Sequence, residues 1–579
     1  MSRKGEKMPG FVFIKGILKN DFLDYKNEKL LVETLEYDDI KIQRRTIKKF
    51  LDDKIFYQDE NYLIVTEGVI FNKFELIKKY QKENFKDTII EMYKKSGDTF
   101  FNEFRGSFSG IFIDKKENRN IIYGDQIGSK LLFYYKCEKG IIVASEIKWI
   151  LEILKMNNLD YSLDKSGTYS LLTFGFMLSD FTLFSEIKKI FPGNYLELKN
   201  DSLTNKVFHR FTRKEMAEYN EKECVEKLDS LFKKATKYQV DKNKEYGYLD
   251  LAPLSAGYDT RMMNLQLKEM GAKEIYNLTY SETDNDDEII PKILARNWGN
   301  HFLFKALDNG KSLFYLDETI EKNMGMVYYA GGAQVYDSFH LLNFDKFGIV
   351  HTGMLGDGYP TESRGIKVYK DAFGIGMSSE ELKNKLLKLI DFKLLEEDTE
   401  IFLTYIRGFN GMNMGSPLIL QEYTESYTPF QDVDWLEYYL TIPQEKRKNR
   451  YIQNIWMKEK FPIYASYPIN GVKIKEFKFN ILGKRRTLKQ IIRFLNRKVF
   501  KIQRKGMNPL DYWYKNNIEL KDFMENYYEK NLFRLDFDKT IQNDVISLFK
   551  KGNIMEKILV LSLLSSLKLY FNSEEKDEK

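Results

Sequence analysis

Residues 248–261 read Tyr248-Leu249-Asp250-Leu251-Ala252-Pro253-Leu254-Ser255-Ala256-Gly257-Tyr258-Asp259-Thr260-Arg261. The first seven make an apolar strand, and the small residues after it lead straight into a helix. A strand that ends in such a loop at a helix N-terminus presents a nest of backbone N–H groups to an anion. Ser255 and Thr260 add hydroxyls, and Asp259 adds a carboxylate able to hold Mg2+ against phosphate oxygens. The loop is not a Walker loop, because the GK[ST] ending is missing. Ser255 and Asp259 are also residue types that cap helices, so the loop alone is equally well read as a helix start.

Working outward, 221–238 predicts a helix before this junction. After it come a strand over 274–280 and a helix over 287–298, stopped by Gly299. Strand–helix alternation of this kind predicts a parallel, doubly wound sheet. From roughly Glu380 onward the pattern is mostly helical. Upstream, 11–18, 62–71, 107–114, 120–124 and 140–145 are β-branched or aromatic runs bounded by turn residues, with helical patterns from Phe74 and over 87–95. The first third therefore predicts a layered α+β domain, closing at Asn194-Tyr195-Leu196-Glu197-Leu198. Domain boundaries follow at 1–205 and 206–572, with 573–579 a polar tail.

Composition narrows the classes. The chain has 579 residues, 43% hydrophobic and 30% charged, enough for two or three folded domains. Its 91 basic and 85 acidic residues nearly balance at +6, which argues against a nucleic-acid partner. Two cysteines, Cys137 and Cys224, suit neither a disulfide framework nor a thiolate zinc site, and they suggest a reducing compartment. The first residues have no apolar stretch of a secretory signal, and the longest apolar run, 558–567, is short for a membrane span. A cytoplasmic protein is expected. His209, His301, His340 and His351 lack ligand spacing. Leu488, Ile491, Ile492, Leu495 and Val499 form a stripe flanked by basic residues from Lys484, read as a surface helix with its apolar face in the core. Peripheral contact with an anionic membrane and a homo-oligomer both stay open.

Ser-x-Gly-x-Asp-[Ser/Thr] after a strand resembles the pyrophosphate loop of the asparagine synthetase family, whose members adenylate a carboxylate with ATP. Asp287-Glu288 resembles the family's Asp-Glu helix start, and Val350-His351-Thr352-Gly353-Met354-Leu355-Gly356-Asp357 resembles its Leu-Ser-Gly-Glu-Gly-x-Asp segment. Tyr427-Thr428-Pro429-Phe430-Gln431-Asp432 is similar to its Arg-x-Pro-Phe-Leu-Asp, and Arg504-Lys505-Gly506-Met507 to its Lys-x-Gly-Phe near the C-terminus. In the first third, Glu67-Gly68-Val69-Ile70-Phe71-Asn72 looks like Asn-Gly-Glu-Ile-Tyr-Asn, and Ala144-Ser145-Glu146-Ile147-Lys148 matches Ala-Ser-Glu-Ile-Lys. All stand in the family's order across nearly the whole chain. The resemblance implies an N-terminal nucleophile-hydrolase-like sandwich, then an α/β ATP-pyrophosphatase domain with a parallel sheet and a helical C-terminal part.

The resemblance also assigns roles. ATP would lie with its adenine against the backbone around Leu254 and Leu278. Its phosphates would lie over Ser255, Ala256, Gly257, Tyr258, Asp259 and Thr260, near Gly353. Asp259, Asp287 and Asp357 would hold Mg2+, and Arg504 or Lys505 would supply the catalytic cation. Arg261 reaches either the phosphates or solvent. Two departures stand out. A working glutaminase needs a mature N-terminal cysteine as nucleophile; here Pro9 stands at that position and Glu67 replaces the family's asparagine. Met354 replaces a glutamate, and a thioether cannot accept a proton from an attacking amine. The expected activity is an ATP-dependent, AMP-forming C–N ligase that does not hydrolyse glutamine. It would join a small-molecule or peptide carboxylate to an amine, giving a lactam, a macrolactam or a sugar-acid amide. An ammonia-fed asparagine synthetase and a catalytically silent ATP-binding scaffold are the alternatives.

Overall fold

The computed structural model describes residues 8–19, 29–356, 382, 384–385, 388, 399–465, 478–481, 484–487 and 506–571. The first half contains β1 (Gly10–Gly16), β2 (Leu30–Tyr37), β3 (Ile40–Ile47), β4 (Phe56–Gln58), β5 (Tyr62–Ile70), α1 (Lys73–Tyr80), α2 (Phe85–Ser96), β6 (Gly106–Asp114) and β7 (Arg119–Gly124). It continues through β8 (Phe133–Cys137), β9 (Gly140–Ala144), α3 (Ile147–Met156), α4 (Lys165–Phe174), β10 (Lys188–Lys189), β11 (Asn194–Lys199) and β12 (Ser202–Val207). These strands build two six-stranded sheets, β10-β8-β9-β1-β3-β2 and β12-β11-β7-β6-β5-β4, with antiparallel pairing throughout.

Strand β1 explains the layering. Phe11 and Phe13 face the second sheet, meeting Leu63, Val65, Ile111 and Ile122. Val12 and Ile14 face the other way, into a core shared with Trp149 and Ile150 of α3. A strand covered on both sides has no polar face, which is why this stretch reads as an unbroken apolar run. On the far side of the second sheet, Ile64, Phe112 and Tyr123 lie under Leu76 of α1 and Ile89 and Met92 of α2. The result is a helix–sheet–sheet–helix sandwich. Its last strand runs to Val207, so the boundary expected at 205 falls inside β12. Strands β2, β3, β4, β8, β10 and β12 lie outside the expected set.

The second half contains α5 (Glu221–Glu245), β13 (Leu249–Pro253), α6 (Tyr258–Glu269), β14 (Ile275–Ser281), α7 (Asp286–Trp298) and β15 (His301–Ala306). Next come α8 (Leu316–Asn323), α9 (Tyr329–Phe339), β16 (Phe347–His351) and β17 (Ser426–Tyr427). The sheet order is β15-β14-β13-β16-β17, with every pair parallel. The order reverses direction between β13 and β16. That is the switch point where a doubly wound sheet opens a crevice beyond its strand ends.

The basic helix expected from Lys484 is corrected at its start. Lys484–Thr487 is a strand paired antiparallel with Lys478–Ile481, a partner that helical periodicity ignores. The stripe from Leu488 to Val499 lies outside the described residues. The apolar run at 558–567 belongs to the helix Ile554–Tyr570, whose Leu559, Leu563 and Leu567 share one core with α3, α4 and α8. The sandwich and the C-terminal helices are thus welded through a common interior. No described helix is long and apolar enough to cross a membrane.

Candidate functional site

The helix after β13 is left open at its start. Its N-cap is Gly257, which has no side chain to bond the first-turn N–H groups. By contrast α7, after β14, is capped by Asn285, whose side-chain Oδ1 accepts from Asp287 N. Ser255 and Asp259 therefore do not cap α6. An uncapped N-terminus at the switch point offers orphan donors and the positive end of the helix dipole to an anion.

The loop is held by its own side chains. Ser255 N donates to Thr260 Oγ1 (3.1 Å), Gly257 N to Ser255 Oγ (3.1 Å) and Ala256 N to Asp287 Oδ1 (3.0 Å). Asp287 thereby ties the start of α7 to the loop before α6. Arg261 is not in solvent. Fully buried, it donates to Ala256 O (2.6 Å) and Tyr464 O (3.1 Å), bracing the loop from behind. Leu254 N donates to Leu278 O (3.0 Å), and Leu254 O accepts from Thr279 Oγ1 (2.6 Å). The backbone groups expected to face adenine are thus partly bonded to each other.

The segment after β16 packs on this loop. A Cβ at Gly353 would fall 2.7 Å from Thr260 N, and one at Gly356 would fall 2.3 Å from Asp259 Cγ. Only glycine allows so close an approach. Asp259 Oδ1 also accepts from the guanidinium of Arg450, whose Nε donates to Gln453 Oε1 (3.1 Å). Gln453 Nε2 in turn donates to Gly356 O (2.9 Å). Arg450 was missed by the sequence reading; its signal was the basic run Lys446-Arg447-Lys448-Asn449-Arg450.

The hydroxyls of Ser255 and Thr260, the open start of α6 and Arg450 together make a donor set suited to phosphate. Asp259 and Asp287 could supply carboxylates to Mg2+. Among the described residues, no group of three or more acidic, histidine or cysteine side chains is placed to hold a metal ion. Asp357, Arg504 and Lys505 lie outside the described residues. Just beyond them, Met507 O accepts from Glu282 N (3.0 Å), at the end of β14. Trp513 Nε1 donates to Glu282 Oε2 (2.6 Å) on the same side.

In the sandwich, Pro9 precedes β1 and is buried, offering neither thiol nor hydroxyl. Glu67 sits 3% exposed in β5, with its Oε1 2.8 Å from Thr46 Oγ1 and 3.2 Å from Lys54 Nζ. A buried ion pair fills the position. Met354 lines a small cavity of about 10 Å3 between the halves, together with Ser107, Ser129, Thr352 and Tyr427. That is room for about one water molecule.

Residues 52–209 match the glutamine amidotransferase domain model. The chain is 24% identical over 509 residues to a putative glutamine-hydrolysing asparagine synthetase of Methanocaldococcus jannaschii, covering 83% of each. It is 25% identical over 186 residues to a glutamine-hydrolysing asparagine synthetase of Bacillus subtilis, covering 30% of this chain and 28% of that protein. Among solved structures, the glutamine phosphoribosylpyrophosphate amidotransferase of B. subtilis covers 52% of this chain and 85% of its own at 9% identity. Its TM-score, 0.24, is too low to bear on the fold. A sandwich of the amidotransferase kind, joined to a parallel-sheet half with an open helix start, defines a class of amide ligases and amidotransferases. Across most of its length the chain is similar to glutamine-hydrolysing asparagine synthetases.

Proposed function

We propose that this protein is an ATP-dependent, AMP-forming C–N ligase that takes no ammonia from glutamine. The observation that carries the reading is the uncapped N-terminus of α6, packed against Gly353 and Gly356 at the switch point of the parallel sheet. Mg2+-ATP, when bound, supplies an activated phosphoryl group. The open helix start, the hydroxyls of Ser255 and Thr260, and Arg450 bind and orient its phosphates. Asp259 and Asp287, with Asp357, would hold the metal, and Arg504 or Lys505 would balance the leaving charge. A substrate carboxylate oxygen bonds to the α-phosphorus as pyrophosphate leaves. An amine nitrogen then bonds to the acyl carbon, losing a proton as AMP leaves.

Pro9 and the Lys54–Glu67 pair support the absence of a working glutaminase. Met354 argues against a general base at the amine, which favours an amine presented by the substrate itself, on a peptide or a cell-envelope sugar acid. The test is ATP–pyrophosphate exchange against a panel of aspartate, peptide and sugar carboxylates. Exchange with at least one supports the ligase. Exchange confined to aspartate, with asparagine formed from ammonia, supports an asparagine synthetase instead. No exchange with any, alongside tight ATP binding, supports a silent scaffold.

A further inference from the structure

Strands β13 and β16 do not pair evenly. Leu249 opposes Phe347 but Leu251 opposes Val350, so the ladder slips by one residue beside Asp250. Such a bulge frees a backbone group and re-aims a side chain. Both consequences are met by one cluster. Ile349 N donates to Asn243 Oδ1 of α5 (2.8 Å), and Asn243 Nδ2 donates to Asp250 Oδ1 (2.8 Å). Asp250 Oδ1 lies 2.9 Å from His351 Nε2, and His351 Nδ1 lies 3.0 Å from Gln239 Oε1. Gln239 Nε2 donates to Ala235 O (3.2 Å), which fixes the amide with its oxygen toward the ring. A Cβ at Gly348 would land 2.1 Å from Asn243 Oδ1, so the bulge needs glycine there.

Gln239 and His351 are fully buried, Asn243 is 1% exposed and Asp250 6%. A polar network in the middle of a parallel sheet is costly unless every partner is satisfied, and apolar side chains would fill the space more simply. What the network governs is offset. Asp250 stands five residues before Ser255 in the strand that carries the phosphate-side loop. His351 stands two before Gly353, which touches the backbone of Asp259 and Thr260. Straight pairing would slide one loop past the other by about one strand residue, ~3.3 Å.

We propose that Asp250 and His351, with Asn243 and Gln239, are positioning residues that pin the slipped register of β13 and β16 and so set the spacing of the two loops. This rests on the phosphate-side reading of those loops, though its first readout does not. The experiment compares wild type with the Asp250→Leu/His351→Leu double variant. It measures hydrogen exchange in peptides covering 255–260 and 349–356, and then kcat and KM for ATP in pyrophosphate exchange. The expected result is at least tenfold faster hydrogen exchange in both peptides, with kcat down tenfold or more. The conservative Asp250→Asn should stay within threefold of wild type. Wild-type protection and kcat in the double variant would overturn the proposal. Should that variant not fold, Asn243→Ala is read by the same measures with the same meaning. A wild type that never catalyses pyrophosphate exchange sinks the ligase reading alone, because the hydrogen-exchange arm still decides the pin.

Discussion

Strand β1 begins, and strand β13 ends, at a place where the sequence resemblance puts chemistry, and the two are finished in opposite ways. At β1 the decisive residue is Pro9, and Glu67 of β5 is consumed by Lys54 and Thr46. At β13 the chain leaves a helix start uncapped and brings two glycines against it. Covalent hydrolysis depends on one nucleophile, so a single replacement removes it while the sheets remain. Phosphate binding is spread over backbone N–H groups and small residues, so it survives wherever the turn survives. The first half persists as structure: its α3 and α4 share a core with α8 and the helix Ile554–Tyr570.

The widest contrast between the two regions is all-or-none. Pure protein incubated with glutamine should release no glutamate, while pyrophosphate exchange proceeds with a cognate carboxylate. Glutamate release blocked by a thiol-directed glutamine analogue would erase the contrast. Next in size is Asp259→Ala, expected to lower pyrophosphate exchange about a hundredfold without unfolding the protein, which corresponds to ~2.7 kcal/mol at the transition state. Arg504→Ala or Lys505→Ala should have a similar effect on exchange with little change in ATP affinity. If none of the three slows exchange, the β13 loop is only a helix start.

How much of this could be read from the chain alone follows from the same contrast. The strand, loop and helix at 248–261 were legible because apolar run, small residues and helix occur consecutively. The parallel sheet followed from the strand–helix alternation after it. The sandwich was read only in part. Strand β3, Ile40-Lys41-Ile42-Gln43-Arg44-Arg45-Thr46-Ile47, hides its period because Arg44 is buried, donating to Lys54 O, Ile55 O and Thr66 O. Arg450 and the His351–Asp250 pair escaped because their partners lie about 190 and 100 residues away. Long-range pairing leaves no mark on local periodicity.

The seam between the two halves yields an effect of similar size, on stability. Asp53 of the sandwich is buried against Lys73 (2.7 Å) and against Lys242 of α5 (2.9 Å), which also binds Glu245 (2.8 Å). Removing one member of a buried ionic cluster leaves the others uncompensated. Asp53→Asn should lower stability by about 3 kcal/mol, read from the denaturant midpoint at constant slope. A loss under about 1 kcal/mol would mean that Glu245 satisfies both lysines unaided, and that the sandwich grips α5 only through apolar contact.

The last effect depends on pH. Lys189 of β10 is fully buried, with Met414 Sδ of the second half 3.9 Å from its Nζ. Burial lowers its pKa from 10.5 to about 7, with the charge of Asp180 opposing part of that shift. The folded amine therefore loses its proton near neutrality, while the unfolded chain keeps it to about pH 10.5. Between those values the unfolded state binds more protons, so stability rises with pH across the window. Below about pH 7 both states are charged, and the full penalty of the buried ammonium is present. Methionine is unbranched and close in volume to lysine, so Lys189→Met removes the penalty without opening a cavity. The variant should be more stable than wild type at pH 6, with the gain shrinking toward zero above pH 10. Urea unfolding of both proteins at pH 6, 8 and 10 measures it. An equal gain at all three values would assign the effect to packing against Met414, not to the proton.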